Sequence, residues 1–335
     1  MNSVLVTGAN GEMGHALLPE LKKKGIQVVA LDIAKLDPDL SGFVTAFFEA
    51  SVLDKLLLTK LFAKYNFDTV FHLGALLSTA AEKDPELAQT VNAGGTSTLL
   101  SVANLNSIKT NKPVKFLFPS TIAVYGLPDL KTKGENSDVS EEEFLDPITM
   151  YGITKLYSEK LGKYYSYNYK MLDTNANHLI DFRAIRFPGI ISAVTVPTGG
   201  TSDYGPEMIH TAAQGKSYES FVREDTILPF IVMPDAVKAI VQLSEAPKEK
   251  LSRDVYNISA FSISAKEIAD LVLKVFPNTT ISYNPHPARQ KIVDSWPGAV
   301  DDSLARRDWA WKPDYDVKKA FEEYLIPEIQ NKYSK

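Results

Sequence analysis

The chain contains no cysteine. Disulfides, thiol nucleophiles and thiolate metal sites are therefore excluded together. Histidine is also scarce. The five present (His15, His72, His178, His210 and His286) are scattered, and no two stand at a ligand spacing such as His-x3-His. No metal centre is expected, and zinc-dependent alcohol dehydrogenation in its usual form is ruled out. A basic excess is missing too: the net charge of -5 makes nucleic acid and anionic membranes poor partners. Nowhere is there a run of about 20 apolar residues, and "MNSVLVTGANG" enters a strand pattern with no basic leader before it. The expectation is a soluble cytoplasmic protein, and 44% hydrophobic with 23% charged residues fits a globular one. A length of 335 residues suffices for one large domain or two coupled ones.

What is present is a rhythm. Short apolar runs ("SVLVTG", "QVVALD", "FVTAFFEA", "TVFHLGA", "VKFLFPS", "FRAIRFPGII") alternate with amphipathic stretches starting near Glu12, Asp54, Asp84 and Pro147. Near-continuous apolar strands between helices indicate a parallel sheet covered on both faces, the doubly wound α/β pattern. After about Ser192 the rhythm changes to a Pro/Gly/Thr loop, "TVPTGGTSDYG", and then to shorter mixed elements. Among these, a helix should open at Pro234 and Asp235, and Ser264 with Glu267 should form a capping box. The charged segment Lys131 to Phe144 reads as a mobile loop or short helix over a site, or as a solvated insertion.

In "VLVTGANGEMGHALLPELKKKG", Gly8, Gly11 and Gly14 fall between the first strand and the first helix. Turn residues without Cβ atoms let the backbone approach a pyrophosphate, and the helix N-terminus supplies N–H groups and a positive dipole end. Asp32 ends the second strand, where a carboxylate accepts hydrogen bonds from adenosine ribose hydroxyls and repels a 2′-phosphate. The following "IAKL" brings no arginine, so the expected cofactor is NAD rather than NADP. Residues 1–191 then form a Rossmann-type cofactor unit, with 228–260 returning to it. Residues 192–227 and 261–335 form a smaller, interleaved α/β substrate unit.

Tyr151 and Lys155 in "ITMYGITKLYSEK" share a helix face. An ammonium there is expected to draw the phenol's pKa from about 10 toward neutrality and make it a general base. Spacing alone says little, since Tyr315 and Lys319 repeat it. Position decides between them. Tyr151 follows "KFLFPST", a strand ending in hydroxyl residues, whereas no cofactor strand feeds Tyr315.

The Gly-x-x-Gly-x-x-Gly spacing after Thr7, together with Tyr151 and Lys155, resembles the extended short-chain dehydrogenase/reductase superfamily. That resemblance implies Thr121 of "STIAVYG" as the hydroxyl partner of Tyr151, with Ser120 beside it and Asn92 near the active site. It implies further cofactor contacts from Asn10, Met13, Ile33, Leu73, Gly74, Ala75, Phe187, Pro188 and Ile190. In "SVLD", Ser51 replaces the usual first acid and leaves the adenine contact to Val52 and backbone groups. Four stretches, "HLGALLS", "RFPGIISAVTVPTGGTSDY", "LPFIVMPD" and "SWPGAVDDSLARRDWAWK", resemble the short-chain type of L-threonine 3-dehydrogenases, from Val4 to about Val317. The departures are Thr198 for a Gly, Ser202 for a Thr, and a longer Lys131 to Phe144 segment. The resemblance implies NAD-dependent oxidation of the L-threonine β-hydroxyl to 2-amino-3-ketobutyrate, leading to glycine or aminoacetone. Substrate contacts carried over are Ser78, Thr121, Tyr151, Gly189, Thr201 and Trp296.

A nucleotide-sugar epimerase or dehydratase of the same superfamily is the nearest alternative reading. A non-catalytic dinucleotide-sensing scaffold is the next. The aromatic-rich helix "YSEKLGKYYSYNYK" points to a homodimer, with a tetramer also compatible. Within "RRDWAWK", Arg306 and Arg307 are expected to pair with acids, and Trp309 and Trp311 to anchor the last helix.

Overall fold

The six short apolar stretches and one further strand near Tyr256 pair side by side in one direction. The computed structural model describes residues 1–136, 138–197 and 199–334. In chain order the strands are β1 (Ser3–Thr7), β2 (Gln27–Asp32), β3 (Ala46–Glu49), β4 (Thr69–His72), β5 (Val114–Thr121), β6 (Ile180–Phe187) and β7 (Gly189–Ile191). They continue with β8 (Tyr218–Ser220), β9 (Ile227–Val232), β10 (Val255–Asn257), β11 (Phe261–Ser264) and β12 (Ile281–Tyr283). The large sheet runs β10-β6-β5-β4-β1-β2-β3, and every pairing in it is parallel. Its order reverses between β1 and β4, and a crevice at that switch point is where open α/β sheets bind ligands.

Strand alternation assigns each face its own core. Val4 and Val6 of β1 point toward the Glu12–Lys23 and Met233–Glu245 helices, among Leu17, Leu21, Ala236 and Ile240. Leu5 points the other way, toward the Lys55–Tyr65 and Gly95–Thr110 helices, among Leu58, Phe62, Leu99 and Leu100. The fold is thus a doubly wound Rossmann-type α/β sheet, as the sequence pattern requires.

The stretch "FRAIRFPGII" is two strands and not one. β6 ends at Phe187, and after Pro188 the chain enters β7 of a second sheet, ordered β11-β9-β7. Proline has no N–H to continue a ladder. The segment 228–260 is divided between the sheets: β9 lies in the small one, β10 at the edge of the large one. A third core, containing Ile191, Phe230, Ile268, Trp296 and Phe321, fills the smaller unit. The capping box at Ser264 and Glu267 is present, and proline occupies the first turn of the Met233–Glu245 helix.

Two expectations are corrected. The Lys131 to Phe144 segment is anchored. After a helical turn over Leu130–Glu135, Val139 is fully buried and bridges to Val300. The Tyr125 hydroxyl lies 3.1 Å from the Ser140 carbonyl, and Arg186 donates to the Glu141 carbonyl at 2.7 Å. One buried valine and two buried polar anchors outweigh the solubility of the surrounding charges. Ser137 within this segment, like Thr198 elsewhere, lies outside the described residues. Trp309 and Trp311 do not hold the last helix. They pack beside Tyr256 against the core that lies under the large sheet, and the Ile326–Tyr333 helix joins the other core. Arg306 and Arg307 do pair with acids, Asp302 and Asp308.

Candidate active site

The glycine loop is built for close approach. Gly8 has φ +69, and a Cβ there would sit 2.6 Å from the Gly74 backbone. A Cβ on Gly14 would lie 2.2 Å from the Ala9 carbonyl oxygen, so the helix packs directly on the loop. Gly11 at the N-cap offers no side-chain acceptor, which leaves the first-turn N–H groups open to a ligand. Asp32 accepts from the Asn10 N–H at 2.9 Å and the Ala34 N–H at 3.0 Å. Asn10 returns the favour by donating to the Ala34 and Lys35 carbonyls. The exposed Ile33 follows, and half-buried Met13 starts the helix. Past β3, the Ser51 hydroxyl accepts from the Leu53 N–H, and buried Val52 packs on Gly95. These positions suit a dinucleotide: an open helix N-terminus for pyrophosphate, and a carboxylate at the β2 end for ribose.

A chain of hydrogen bonds ties this loop to the rest of the site. The Gly74 N–H donates to Thr7 Oγ1, which lies 2.8 Å from His72 Nδ1. On the other side of the ring, His72 Nε2 lies 3.0 Å from Thr96 Oγ1, and Thr96 donates its own proton to the Asn92 carbonyl at 2.6 Å. Thr96 can therefore only accept from the ring, which places the proton on Nε2. Burial, reinforced by the nearby Lys155, holds the His72 pKa down to about 3, so the ring stays neutral. Asn92 sits in a π-helical turn, Gln89–Gly94, a local distortion common at functional sites. Its amide exchanges both bonds with Leu76 and reaches Thr154 of the Met150–Tyr167 helix at 3.3 Å. The strand end Leu73–Ala75 is thereby held beside that helix.

Tyr151 stands in the first turn of the same helix, which Thr149 caps. Gly152 permits the approach to the Ile122–Val124 turn that follows β5: a Cβ would meet the Ala123 carbonyl at 2.0 Å. The Thr121 side chain lies close enough to the phenol to lower its pKa, and Thr121 Oγ1 is fixed by the Ala123 N–H at 3.1 Å. Lys155 is buried, donates to the Pro119 carbonyl at 2.6 Å, and lies 5.6 Å from the Tyr151 ring centroid. The expectation that Lys155 draws the phenol toward neutrality is reversed. Burial dominates and pushes Tyr151 up to about 12, while Thr121 opposes it. Burial also takes Lys155 down to about 7 against the pull of Glu159. A phenol and an amine that share a dry site both favour their uncharged forms.

Beneath them lies an ion pair that sequence reasoning missed. Arg186 of β6 meets Glu159 at 2.7 Å, and Ser120 donates to the same carboxylate at 2.5 Å. Arg186 also reaches the Tyr125 hydroxyl, which donates to Asn257 of β10. Phe187 and Pro188, also buried, continue from Arg186 to the carboxyl edge, and Ile190 follows half-buried.

The Thr201 N–H and hydroxyl lie 3.3 and 3.1 Å from Ser78 Oγ. Gly189 faces the Phe230 ring so closely that a Cβ would lie 2.6 Å from it. Trp296 is 5% exposed and belongs to the same apolar cluster as the partly buried Tyr151 ring. Two charged residues near this region escaped notice in the sequence. Arg289 donates to the Gly200 carbonyl. Glu12 lies in the first turn of the glycine-loop helix, where burial and Asp203 push its carboxyl above the usual range, with Thr195 and His15 opposing. By contrast, Tyr315 lies by Tyr324, and its backbone binds Asp235. Among the described residues no cluster of His, Asp and Glu is arranged to hold a metal, and no helix is long and apolar enough to cross a membrane.

The parallel sheet, its switch point and the glycine loop define a dinucleotide-binding protein of the Rossmann class. Residues 4–259 match the NAD dependent epimerase/dehydratase family, and the chain belongs to that family. Within it, the chain is 36% identical over 315 residues to the mitochondrial L-threonine 3-dehydrogenase of Bos taurus, covering 94% of this chain and 79% of that protein. The solved L-threonine dehydrogenase of Clostridium difficile superposes with a TM-score of 0.87 at 34% identity, covering 99% of both chains. A monomeric L-threonine 3-dehydrogenase from a metagenome superposes with a TM-score of 0.85 at 34% identity, covering 98% of this chain and 99% of that one.

Proposed function

We propose that this protein is an L-threonine 3-dehydrogenase that oxidises the β-hydroxyl of L-threonine to 2-amino-3-ketobutyrate with NAD. The observation that carries the reading is the Tyr151–Thr121 hydroxyl pair beside buried Lys155, at the carboxyl edge where the glycine loop lies. Gly8, Gly11, Gly14 and Asp32 would hold the cofactor. When bound, NAD supplies the hydride acceptor and a positive ring that favours a negative phenolate nearby.

The chain's own residues manage the proton. Below about pH 7 the Tyr151–Lys155 pair carries two protons, and above it one. The one-proton pair can hold its proton on the amine, which leaves a tyrosinate stabilised by an ammonium one helical turn away. That tyrosinate takes the proton of the β-hydroxyl while Thr121 orients the alcohol oxygen. Ser78, Thr201, Gly189 and Trp296 fix the amino-acid end, so that the carbinol carbon faces the cofactor. The product then serves glycine formation or decarboxylates to aminoacetone.

The cofactor unit in this reading is built on the large sheet of β1 to β6 and β10, and the substrate unit on the small sheet of β7, β9 and β11, so that β7 and β9 leave the bounds 1–191 and 228–260 expected for the cofactor unit. Ile153 and Tyr157 of the catalytic helix and Leu105 of its neighbour are exposed, an apolar face suited to a homodimer. NADH formation with L-threonine, using serine and 3-hydroxybutyrate as controls, tests the activity. Absence of NADH with threonine, together with turnover of a UDP-sugar, transfers the site to epimerase chemistry.

A further inference from the structure

Arg289 lies on the Pro287–Asp294 helix, and its guanidinium carbon sits 3.2 Å from the Phe221 ring centroid. Nη2 donates to the Gly200 carbonyl at 2.6 Å and approaches the Gly199 carbonyl at 3.4 Å. Nε is buried with no hydrogen-bond partner, and among the described residues Arg289 makes no ion pair. The acids nearest in charge are committed elsewhere. Asp203 accepts from the Gly199 and Gly200 N–H groups at 3.0 and 2.6 Å. Glu207 accepts from the Tyr218 hydroxyl at 2.6 Å. A half-buried cation without a counter-ion costs stability unless an anion completes it.

One peptide unit links Arg289 to Ser78. The Gly200 carbonyl accepts from Arg289, and the N–H at the other end of that peptide, on Thr201, points to Ser78 Oγ at 3.3 Å. Thr201 Oγ1 also donates to Ser78 Oγ, at 3.1 Å, so the Ser78 proton is free to point outward. Thr79 donates to the Gly199 carbonyl at 2.6 Å and fixes the turn. Both Thr201 donors are spent on Ser78 Oγ, so the Ser78 hydroxyl is the one donor of this group left to face a ligand, and its proton is sharpened by the two bonds its oxygen accepts. A cation on the carbonyl side polarises the peptide and strengthens its N–H as a donor.

We propose that Arg289 is the positioning residue that gives the site its preference for a carboxylate, acting through the Gly200–Thr201 peptide on the cradle formed with Ser78. This deepens the proposed function and rests on its placement of Ser78 and Thr201 at the amino-acid end of the substrate. The test compares L-threonine with L-threoninamide, which keeps the alcohol and amine but has no carboxylate. In Arg289→Gln, KM for threonine should rise about 10- to 100-fold, as for loss of a charge-assisted hydrogen bond. The kcat should stay within about threefold, and the threoninamide constants should hardly move. Arg289→Lys should restore part of the discrimination. Equal losses on both substrates, or an unchanged ratio between them, overturn the proposal. Calorimetry of both ligands against wild type and variants, with NADH present, reads the same ratio without turnover. A wild type that binds threonine but does not oxidise it defeats the proposed function and leaves the binding ratio to judge Arg289. A wild type that binds no threonine defeats both.

Discussion

The Arg186 guanidinium meets both oxygens of the Glu159 carboxylate, Nε to Oε1 at 2.9 Å and Nη2 to Oε2 at 2.7 Å, in a floor closed to solvent. Such a pair is costly to break, since removing one partner strands the other charge in a dry interior. Glu159→Gln should destabilise the fold by about 3–5 kcal/mol in urea unfolding. The double change Glu159→Met with Arg186→Leu should recover most of that. A single variant within about 1 kcal/mol of wild type contradicts the assignment of Arg186 to this partner.

Tyr151→Phe removes the proton acceptor and little else. Turnover with L-threonine should fall about 10²- to 10⁴-fold, while NAD affinity by calorimetry stays near wild type. Retained turnover would remove the phenol from the mechanism.

The acidity of the pair sets a pH profile. As pH rises through about 7, Lys155 loses its extra proton, and the pair reaches the one-proton state in which a tyrosinate can form. The kcat/KM should therefore climb through that region and then level off. Lys155→Met should abolish the step and confine the residual activity to strongly alkaline solution, because the Tyr151 phenol alone is held up near 12. A profile flat between mildly acid and mildly alkaline pH is the contrary result.

Glu12 gives NAD binding its own dependence on pH. Burial and the facing Asp203 raise its pKa, and His15 and Thr195 oppose them. At acid pH the carboxyl is neutral, and on passing above its raised pKa it becomes a negative charge beside the place proposed for the pyrophosphate. NAD affinity should weaken as that proton leaves. Glu12→Gln should bind NAD more tightly at alkaline pH and show a flatter titration. Parallel curves for variant and wild type, measured by fluorescence quenching, would set Glu12 apart from the cofactor.

Asp32 decides between the two nicotinamide dinucleotides. Asp32→Ala should cost NAD about 10- to 100-fold in kcat/KM, the equivalent of one or two charge-assisted hydrogen bonds. The same change should improve use of NADP by relieving repulsion of its 2′-phosphate. Steady-state kinetics with both cofactors check it.

Much of this was readable in the chain because its causes are local. Gly8, Gly14 and Asp32 act within one strand–turn–helix unit, and the apolar runs of β1 to β6 announce burial on both faces. The parts that were not readable depend on residues distant in sequence. Arg289 is bound to a carbonyl 89 residues away and Arg186 to a carboxylate 27 residues away, and neither distance leaves a periodic trace. The Lys131 to Phe144 segment misleads for a related reason. Its composition reflects an exposed surface, whereas its position depends on buried Val139 and on carbonyls held against Tyr125 and Arg186. The acidity of Tyr151 fails differently: helical spacing places Lys155 correctly, but only the enclosed surroundings reveal that dehydration outweighs attraction.

Pro188 separates two strands that belong to different sheets, β6 of the large one and β7 of the small one. This is the first of several crossings, since the chain returns from β9 of the small sheet to β10 of the large one and leaves again for β11. A small sheet transplanted from a homologue to alter selectivity would therefore have to preserve every one of these junctions, or the carboxyl edge of the large sheet would lose its alignment.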